Sequence, residues 1–285
     1  MEALSSSVDR MKTITILLLA CCTPGVQAQS PSAQPFSNAA GSSAAATDAN
    51  AVKARNLLNE MVQALGGDRW LNLRDRYLEG RIAAFYEGKP TGVTLLYWQW
   101  DTPTEERVDM TETKRDKHNW VDVFTGNQCW EVTYQGKKPM EKDPCDSAMR
   151  LRSHSIDTAV RVWMKEPHTL LMYDGQALAE RKLADQVTLL SADNDAITIE
   201  MDADTHLPLS CSWSWRDPVY HDKNTDEVEF ADYHTIDGLP TPFSITRVHN
   251  GEMTQQRFVL KAAYNVPLPP EGFDLDAIAA KVAHR

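Results

Sequence analysis

HLPLSCSWSW, residues 206–215, alternates without a break. Leu207, Leu209, Cys211, Trp213 and Trp215 fall on one side, and Pro208, Ser210, Ser212 and Ser214 fall on the other. A period of two with one apolar and one polar face is the pattern of an antiparallel strand with a core side and a wet side. The pattern recurs in both directions along the chain. AITIEM (196–201) places Ile197, Ile199 and Met201 together, and GVTLLYWQW (92–100) does the same for Leu96, Trp98 and Trp100. RFVLKAAY (257–264) groups Phe258, Leu260, Ala262 and Tyr264. RYLEGRIAAFY, CWEVTY, EVEFADY and PFSITRV read as further strands. Turn dipeptides separate them: Thr102-Pro103, Gly126-Asn127, Asp237-Gly238 and Asn250-Gly251, the last a hairpin signature.

The period changes to helical at two places. Ala54, Leu57, Leu58, Met61, Val62 and Leu65 form one stripe, with Asp48 or Asn50 as the N-cap and Gly66-Gly67 as the stop. CDSAMRLRSH (145–154) and DTAVRVWMKE (157–166) read as two short helices linking two runs of strands. LDAIAAKVAHR closes the chain as a brief helix. These elements predict an α+β, mainly β fold: a single curved antiparallel sheet of nine to eleven strands, with helices 51–65 and 144–166 covering its concave face. A sheet with one apolar face must cover it, and incomplete cover leaves an apolar cavity.

The N-terminus reads as an export signal. Met11-Lys12 is a short basic start, TITILLLACC an apolar run, Pro24 a breaker, and Val26-Gln27-Ala28 a small-residue cleavage site. The apolar run is too short to span a bilayer. Residues 1–10 are polar and acidic and fit no such signal, so translation is expected to begin at Met11. Leu18-Leu19-Ala20-Cys21 offers a second processing route, lipidation of Cys21; cleavage after Ala28 is preferred. The domain plan is a signal peptide over 1–28, a flexible Ser/Ala/Pro-rich linker over 29–50, and one half-barrel domain over 51–285. The protein is then periplasmic, or tethered to the outer membrane if Cys21 is lipidated, with no transmembrane helix in the mature chain.

The 285 residues are 42% hydrophobic, enough for a sizeable core, and carry a formal net charge of -11. An acidic chain with no basic cluster is a poor partner for nucleic acid, and for anionic lipid over a broad face. Beyond Ala28 the cysteines are Cys129, Cys145 and Cys211. Cys129 and Cys145 flank a turn-rich stretch and form the candidate disulfide; Cys211 is left as a buried thiol. Nucleophile-elbow, zincin, P-loop and dinucleotide motifs do not occur in the sequence. His206, His221, His234 and His249 recur at gaps of 13 to 15, which would suit neighbouring strands, yet surface histidines are the ordinary outcome. Asp193, Asp195, Asp202 and Asp204 flank AITIEM and read as turn acids, without the spacing of a calcium loop. No metal, cofactor or catalytic residue is assigned. The tryptophan pairs Trp98/Trp100 and Trp213/Trp215, with Leu96 and Leu209, either fill the sheet core or line an apolar cleft that takes an alkyl chain.

Four segments, in order, resemble the lipoprotein-carrier (LolA/LolB-like) superfamily and its outer-membrane lipoprotein-sorting relatives. The first is Ala64-Leu65-Gly66-Gly67 followed by a strand with Gly80. The second is Met201 to Pro208, similar to the family's D-x-x-T-x-L-P turn. The third is Phe230-Ala231-Asp232-Tyr233 leading into Asp237 to Pro242, and the fourth is Asn265 to Pro269 with Phe273 after it. The resemblance covers roughly residues 51–275. It implies an unclosed β-barrel, capped by helices, whose apolar cavity holds lipoprotein acyl chains without catalysis. The tether and the Cys129–Cys145 loop depart from a dedicated carrier, and no ligand-binding residue transfers. The expected function is a non-catalytic binder or carrier of lipid or lipoprotein acyl chains in the envelope. Other relatives of the fold sense envelope stress, so a sensor or assembly module with envelope protein partners is the alternative. An exported hydrolase is the remote one.

Overall fold

The computed structural model describes residues 39–112, 120–179 and 181–283. The signal peptide, Cys21, the Met11 start and linker residues 29–38 lie outside the described residues. Helix α1, Ala39–Leu65, opens the fold. It begins well before the expected start, running through 39–50, which the sequence reading gave to a flexible linker. That stretch is rich in alanine, the best helix former, and nothing in it breaks the helix that follows. Asn50 is accordingly no cap: its amide accepts from Tyr173 N at 2.8 Å and donates to Tyr173 O at 2.8 Å, pinning the helix to a strand edge. The stripe Ala54, Leu57, Leu58, Met61, Val62 and Leu65 is buried throughout. Gly67 N donates to Val62 O and Gly66 N to Gln63 O, the paired bonds of a Schellman stop. Gly66 sits at φ 123°, and a Cβ there would lie 2.4 Å from a Leu239 methyl, so the helix ends where it meets the sheet. A single turn, α2 (Asp68–Leu71), follows.

Among the described residues, all strands join one antiparallel sheet of thirteen. The first meander is β1 (Arg76–Tyr86), β2 (Lys89–Asp101), β3 (Glu105–Glu112), β4 (Trp120–Thr125), β5 (Gln128–Thr133) and β6 (Gly136–Pro139). The second is β7 (Leu170–Ala179), β8 (Lys182–Leu190), β9 (Ala196–Asp202), β10 (Pro208–Arg216), β11 (Lys223–Ile236), β12 (Leu239–His249) and β13 (Glu252–Tyr264). The spatial order is β6-β5-β4-β3-β2-β1-β13-β12-β11-β10-β9-β8-β7, so β1 pairs with β13 and both outer strands, β6 and β7, are left as edges. The sheet is thus curved and unclosed. It exceeds the expected nine to eleven strands by taking in β3, β4, β6, β7 and β8, none of which shows a clean alternation. The connection between the two edges carries α3 (Lys142–Ser153), α4 (Ile156–Arg161) and a 3-10 turn (Trp163–Lys165) across the concave face.

The main core lies under α1 and α4. Val187, Leu189, Ile197, Ile199, Met201, Cys211 and Trp213 of the second meander meet Leu58, Met61, Ala159 and Trp163 of the helices. A second cluster, Leu78, Ile82, Tyr97, Val108 and Val259, continues it across the first meander. The last helix, α5 (Leu275–Ala283), packs on the opposite, convex face against Val121, Val123 and Val132. Arg107, almost wholly buried, secures that arrangement. Its guanidinium grips Asp109 at 2.6 and 2.8 Å and donates to Gly272 O at 2.9 Å.

Two of the sheet's bulges decide where residues of the alternating strands face. One lies at Glu79/Gly80 against β13. A Cβ on Gly80 would fall 2.0 Å from Phe258 O, so only glycine admits this approach. Beyond the slip Ala262 is buried while Phe258 and Leu260 are exposed, which separates a set that strict alternation places together. The other lies between Pro208 and Ser210. It turns Leu209 out of the main core into a small cluster with Ala179 and Ala184. Cys129 and Cys145 are disulfide-bonded, with Cα atoms 5.6 Å apart, which ties the start of α3 to β5.

Candidate functional site

Between the helical connection and the concave face lies a cavity of about 300 Å³. Its roof is the end of α3 and the start of α4: Leu151, Arg152, His154, Ile156, Asp157 and Arg161. Leu65 and Trp70 close one side, and Leu78, Gln99 and Asp101 rise from β1 and β2. Pro208, Cys211, Val228, Phe230, Tyr233, Ile245, Arg247, Arg257 and Tyr264 form the floor on β10–β13. The lining is therefore apolar with a belt of charge. Six arginines (74, 76, 152, 161, 247, 257) stand against four carboxylates (75, 101, 106, 157). The cavity has a positive excess although the chain as a whole is strongly acidic.

Most of that belt latches the roof to the sheet. Arg76 donates to Asp101 at 2.9 Å and lies 3.7 Å from Asp157 on α4. Burial opposes the Arg76 charge, but Asp101 and Asp157 outweigh it, so its pKa is raised. Arg161 bonds Asp157 at 3.2 Å, donates to Trp70 O at 2.7 Å and also reaches Leu71 O. Arg152 donates to Glu106 at 2.8 Å. Gln99 donates to Asp101 at 2.8 Å and to Glu106 at 3.1 Å, and accepts from Arg257 at 2.5 Å. Two of these contacts, Arg76–Asp157 and Arg152–Glu106, run directly between helix and strand.

The hinge of the roof, His154, is 4% exposed. It stacks on Trp213 with ring centres 5.0 Å apart and meets Trp163 edge-on at 5.5 Å. Its Nδ1 is 2.7 Å from Arg150 O and its Nε2 is 2.9 Å from Asp195 Oδ1. Trp215 lies under the Arg150 guanidinium, 3.8 Å from the ring centre, and donates to Asp226 at 2.6 Å. Trp213 and Trp215 thus face the concave side and serve as the seat on which α3 rests, rather than as cavity lining.

Leu96, Trp98 and Trp100 lie on the other face of β2. Leu95, Tyr97, Gln99 and Asp101 point to the concave side, with Tyr97 and Gln99 buried. Trp100 packs on Tyr77 at 5.3 Å and lies 5.3 Å from the Arg107 guanidinium on the convex face. Leu209 leaves the concave face at its bulge. None of the six candidates Leu96, Trp98, Trp100, Leu209, Trp213 and Trp215 is among the cavity-lining residues. Both faces of LLYWQW are apolar, so alternation alone could not choose between them. The arginines were missed, although one signal was present: in PFSITRV the spacing of two puts Arg247 on the same face as Phe243 and Ile245.

The remaining polar candidates do not converge on a metal site. His206 is 3.9 Å from Glu60, His234 is 3.1 Å from Asp232, and His249 is 2.7 Å from Asp226. No metal-holding group of His, Cys, Asp or Glu occurs among the described residues. Asp202 is a turn acid: burial works against its ionisation, but Lys182 and the backbone N–H groups of Thr205 and Asp204 hold its pKa down at about 2. The buried Cys211 thiol is pushed up to about 12, chiefly by burial and then by Glu227.

No protein-family model matches the chain, and no curated protein matches its sequence. Solved structures do match. An outer membrane lipoprotein-sorting protein domain from Vibrio parahaemolyticus superposes with a TM-score of 0.55 at 9% identity, over 81% of this chain and all (100%) of that one. The fold is that of this lipoprotein-sorting domain. A DUF1329 family protein from Desulfovibrio piger agrees at a TM-score of 0.53 and 12% identity, over 80% of this chain and 98% of its own. At these identities the likeness is one of architecture: an unclosed antiparallel barrel with helices on its concave side. No helix among the described residues is long and apolar enough to cross a membrane.

Proposed function

We propose that this protein is a non-catalytic binder or carrier of lipid or lipoprotein acyl chains in the cell envelope. The observation that carries the reading is the cavity of about 300 Å³ held between the concave sheet and a latched helical roof. Its size is at the small end for ligand pockets. At roughly 30 Å³ per water-sized group it takes about ten chain carbons. Burying about ten methylenes is worth ~8 kcal/mol before the costs of association, enough to hold one chain out of water. A multi-chain anchor would need the roof to lift. The similarity of fold to a lipoprotein-sorting domain supports the same class of ligand.

The envelope location rests on the signal sequence over residues 11–28 and is supported by the Cys129–Cys145 disulfide, since such bonds persist in oxidising compartments. The experiment is native mass spectrometry of protein purified from its own envelope, followed by denaturation. Co-released acyl species and a mature N-terminus at Gln29 are the expected result. A diacylglyceryl mass on Cys21 would instead place it as a tethered receptor. Protein that is always ligand-free and that cross-links to an envelope protein would replace this reading with the sensor or assembly module.

A further inference from the structure

Arg247 stands apart from the other charges of the cavity. It projects from β12 into the lining, two residues from Ile245 and directly across from Val228 on β11. Its guanidinium makes no hydrogen bond or ion pair with any described residue. Four of the other five cavity arginines are occupied: Arg76 by Asp101, Arg152 by Glu106, Arg161 by Asp157, and Arg257 by Gln99 and Gln255; the fifth, Arg74, is exposed to solvent at the rim. Glu106 is the carboxylate whose field reaches Arg247, and Arg152 and Gln99 already hold both its oxygens. Arg247 is part-buried and its guanidinium still reaches water, so an anion arriving beside these apolar side chains would exchange that water for a charge-assisted pair.

We infer that the cavity takes a single-chain amphiphile with an anionic head, and that Arg247 binds the head while the apolar lining holds the chain. This rests on the lipid-binding reading above and names its ligand class. The planar fork of arginine matches a carboxylate in two parallel hydrogen bonds, which lysine cannot do. Burial, and then the like charge of Arg257, pull the Arg247 pKa down to about 9. An anion between the two guanidinium groups would reverse that destabilisation. The volume suits one chain, so a fatty-acid-like carboxylate is the head that leaves most room for methylenes. An alkyl phosphate offers the same charge with a larger head.

The test uses the chain from Gln29 onward, stripped of lipid under mild conditions, with three twelve-carbon probes: dodecanoate, dodecyl phosphate and dodecanol. Calorimetric titration is expected to give dodecanoate about tenfold or more over dodecanol, the factor of one charge-assisted pair. Arg247→Met should remove that preference while leaving dodecanol within twofold. Arg247→Lys, which keeps charge and loses the fork, should fall between. Dodecanoate ahead of dodecyl phosphate identifies a fatty acid, and the reverse order a phosphate headgroup; either order supports the anionic head. Equal binding of dodecanoate and dodecanol by the unmutated protein, a comparison that needs no variant to fold, would overturn the inference and leave lipid binding standing. Failure of all three probes would count against lipid binding itself.

Discussion

Cutting the Cys129–Cys145 bond tests how the roof of the cavity is held. Helix α3 has no fully buried residue, so packing alone does not fix it. Its first turn is attached through Cys145, and its last through Arg152 to Glu106 and His154 to Trp213. The bridge closes a loop of sequence separation 16. In the chain-entropy treatment a loop of this length contributes about 3 kcal/mol by restricting the unfolded chain. At about 2–4 °C per kcal/mol for a domain of this size, the double variant Cys129→Ser/Cys145→Ser should melt ~6–12 °C lower. Dithiothreitol should reproduce that shift, because Cys211 is buried and its thiol stays protonated. Hydrogen exchange should show lost protection over 142–150 and little change at 154–161, where the latches remain. A melting change under about 2 °C, with protection unchanged over 142–150, would refute the argument and place the hold on α3 elsewhere.

Three further outcomes follow from named contacts. Asp122, on the concave face between Glu106 and Glu131, has its pKa raised to about 7 by burial, then by Glu131 and Glu106, with Arg257 opposing. The native state then binds this proton more tightly than the unfolded chain, so stability is present below about pH 4 and lost as pH rises through 7. The full shift from 3.8 would be worth about 4 kcal/mol; Asp122 is only half-buried, and screening reduces this to about 2. Urea melts at pH 5 and pH 8 should show the part of that loss lying above pH 5, about 1 kcal/mol, in the unmutated protein and its absence in Asp122→Asn. Gly80→Ala should cost about 3 kcal/mol or more, since the Phe258 carbonyl cannot rotate away; a melting point within about 2 °C of the parent would disprove the close approach. Arg107→Met should cost ~3 kcal/mol by leaving Asp109 unpaired and freeing Gly272. Adding Asp109→Leu should recover most of it, and an equal loss in single and double variants would show that the ion pair is not the cause.

The sequence by itself determined much of this protein. Mixed α+β class, the buried stripe of α1 and its stop at Gly66-Gly67, eight of the strands, the Asn250-Gly251 hairpin and the Cys129–Cys145 pairing all follow from local rules. Period, capping and turn chemistry act between residues close in the chain, and these elements obey them. β7 and β8 escaped because GQALAERKLA carries helix formers and interrupts its alternation at Gly175, where a bulge at φ 107° takes up the slip. The sheet supplies neighbours that propensity does not register.

Which face looks inward was decided only by the tertiary structure. Alternation divides a strand into two sides without saying which is covered, and a one-residue bulge exchanges them. In β2 the C-terminal segment and α5 cover the convex side of the first meander, so Trp98 and Trp100 turn outward while Gln99 and Asp101 face the cavity. At Pro208/Ser210 and Glu79/Gly80 the bulges remove Leu209, Phe258 and Leu260 from the faces that strict counting gives them. The charged belt is likewise a product of the fold: Arg76, Arg152, Arg161, Arg247 and Arg257 come from five elements in three separate stretches of the sequence. Only the closing of β1 on β13 and the crossing of α3 and α4 from one sheet edge to the other bring them to one cavity. Pairing across such separations depends on which partner remains available once the sheet has formed, and no local pattern carries that information.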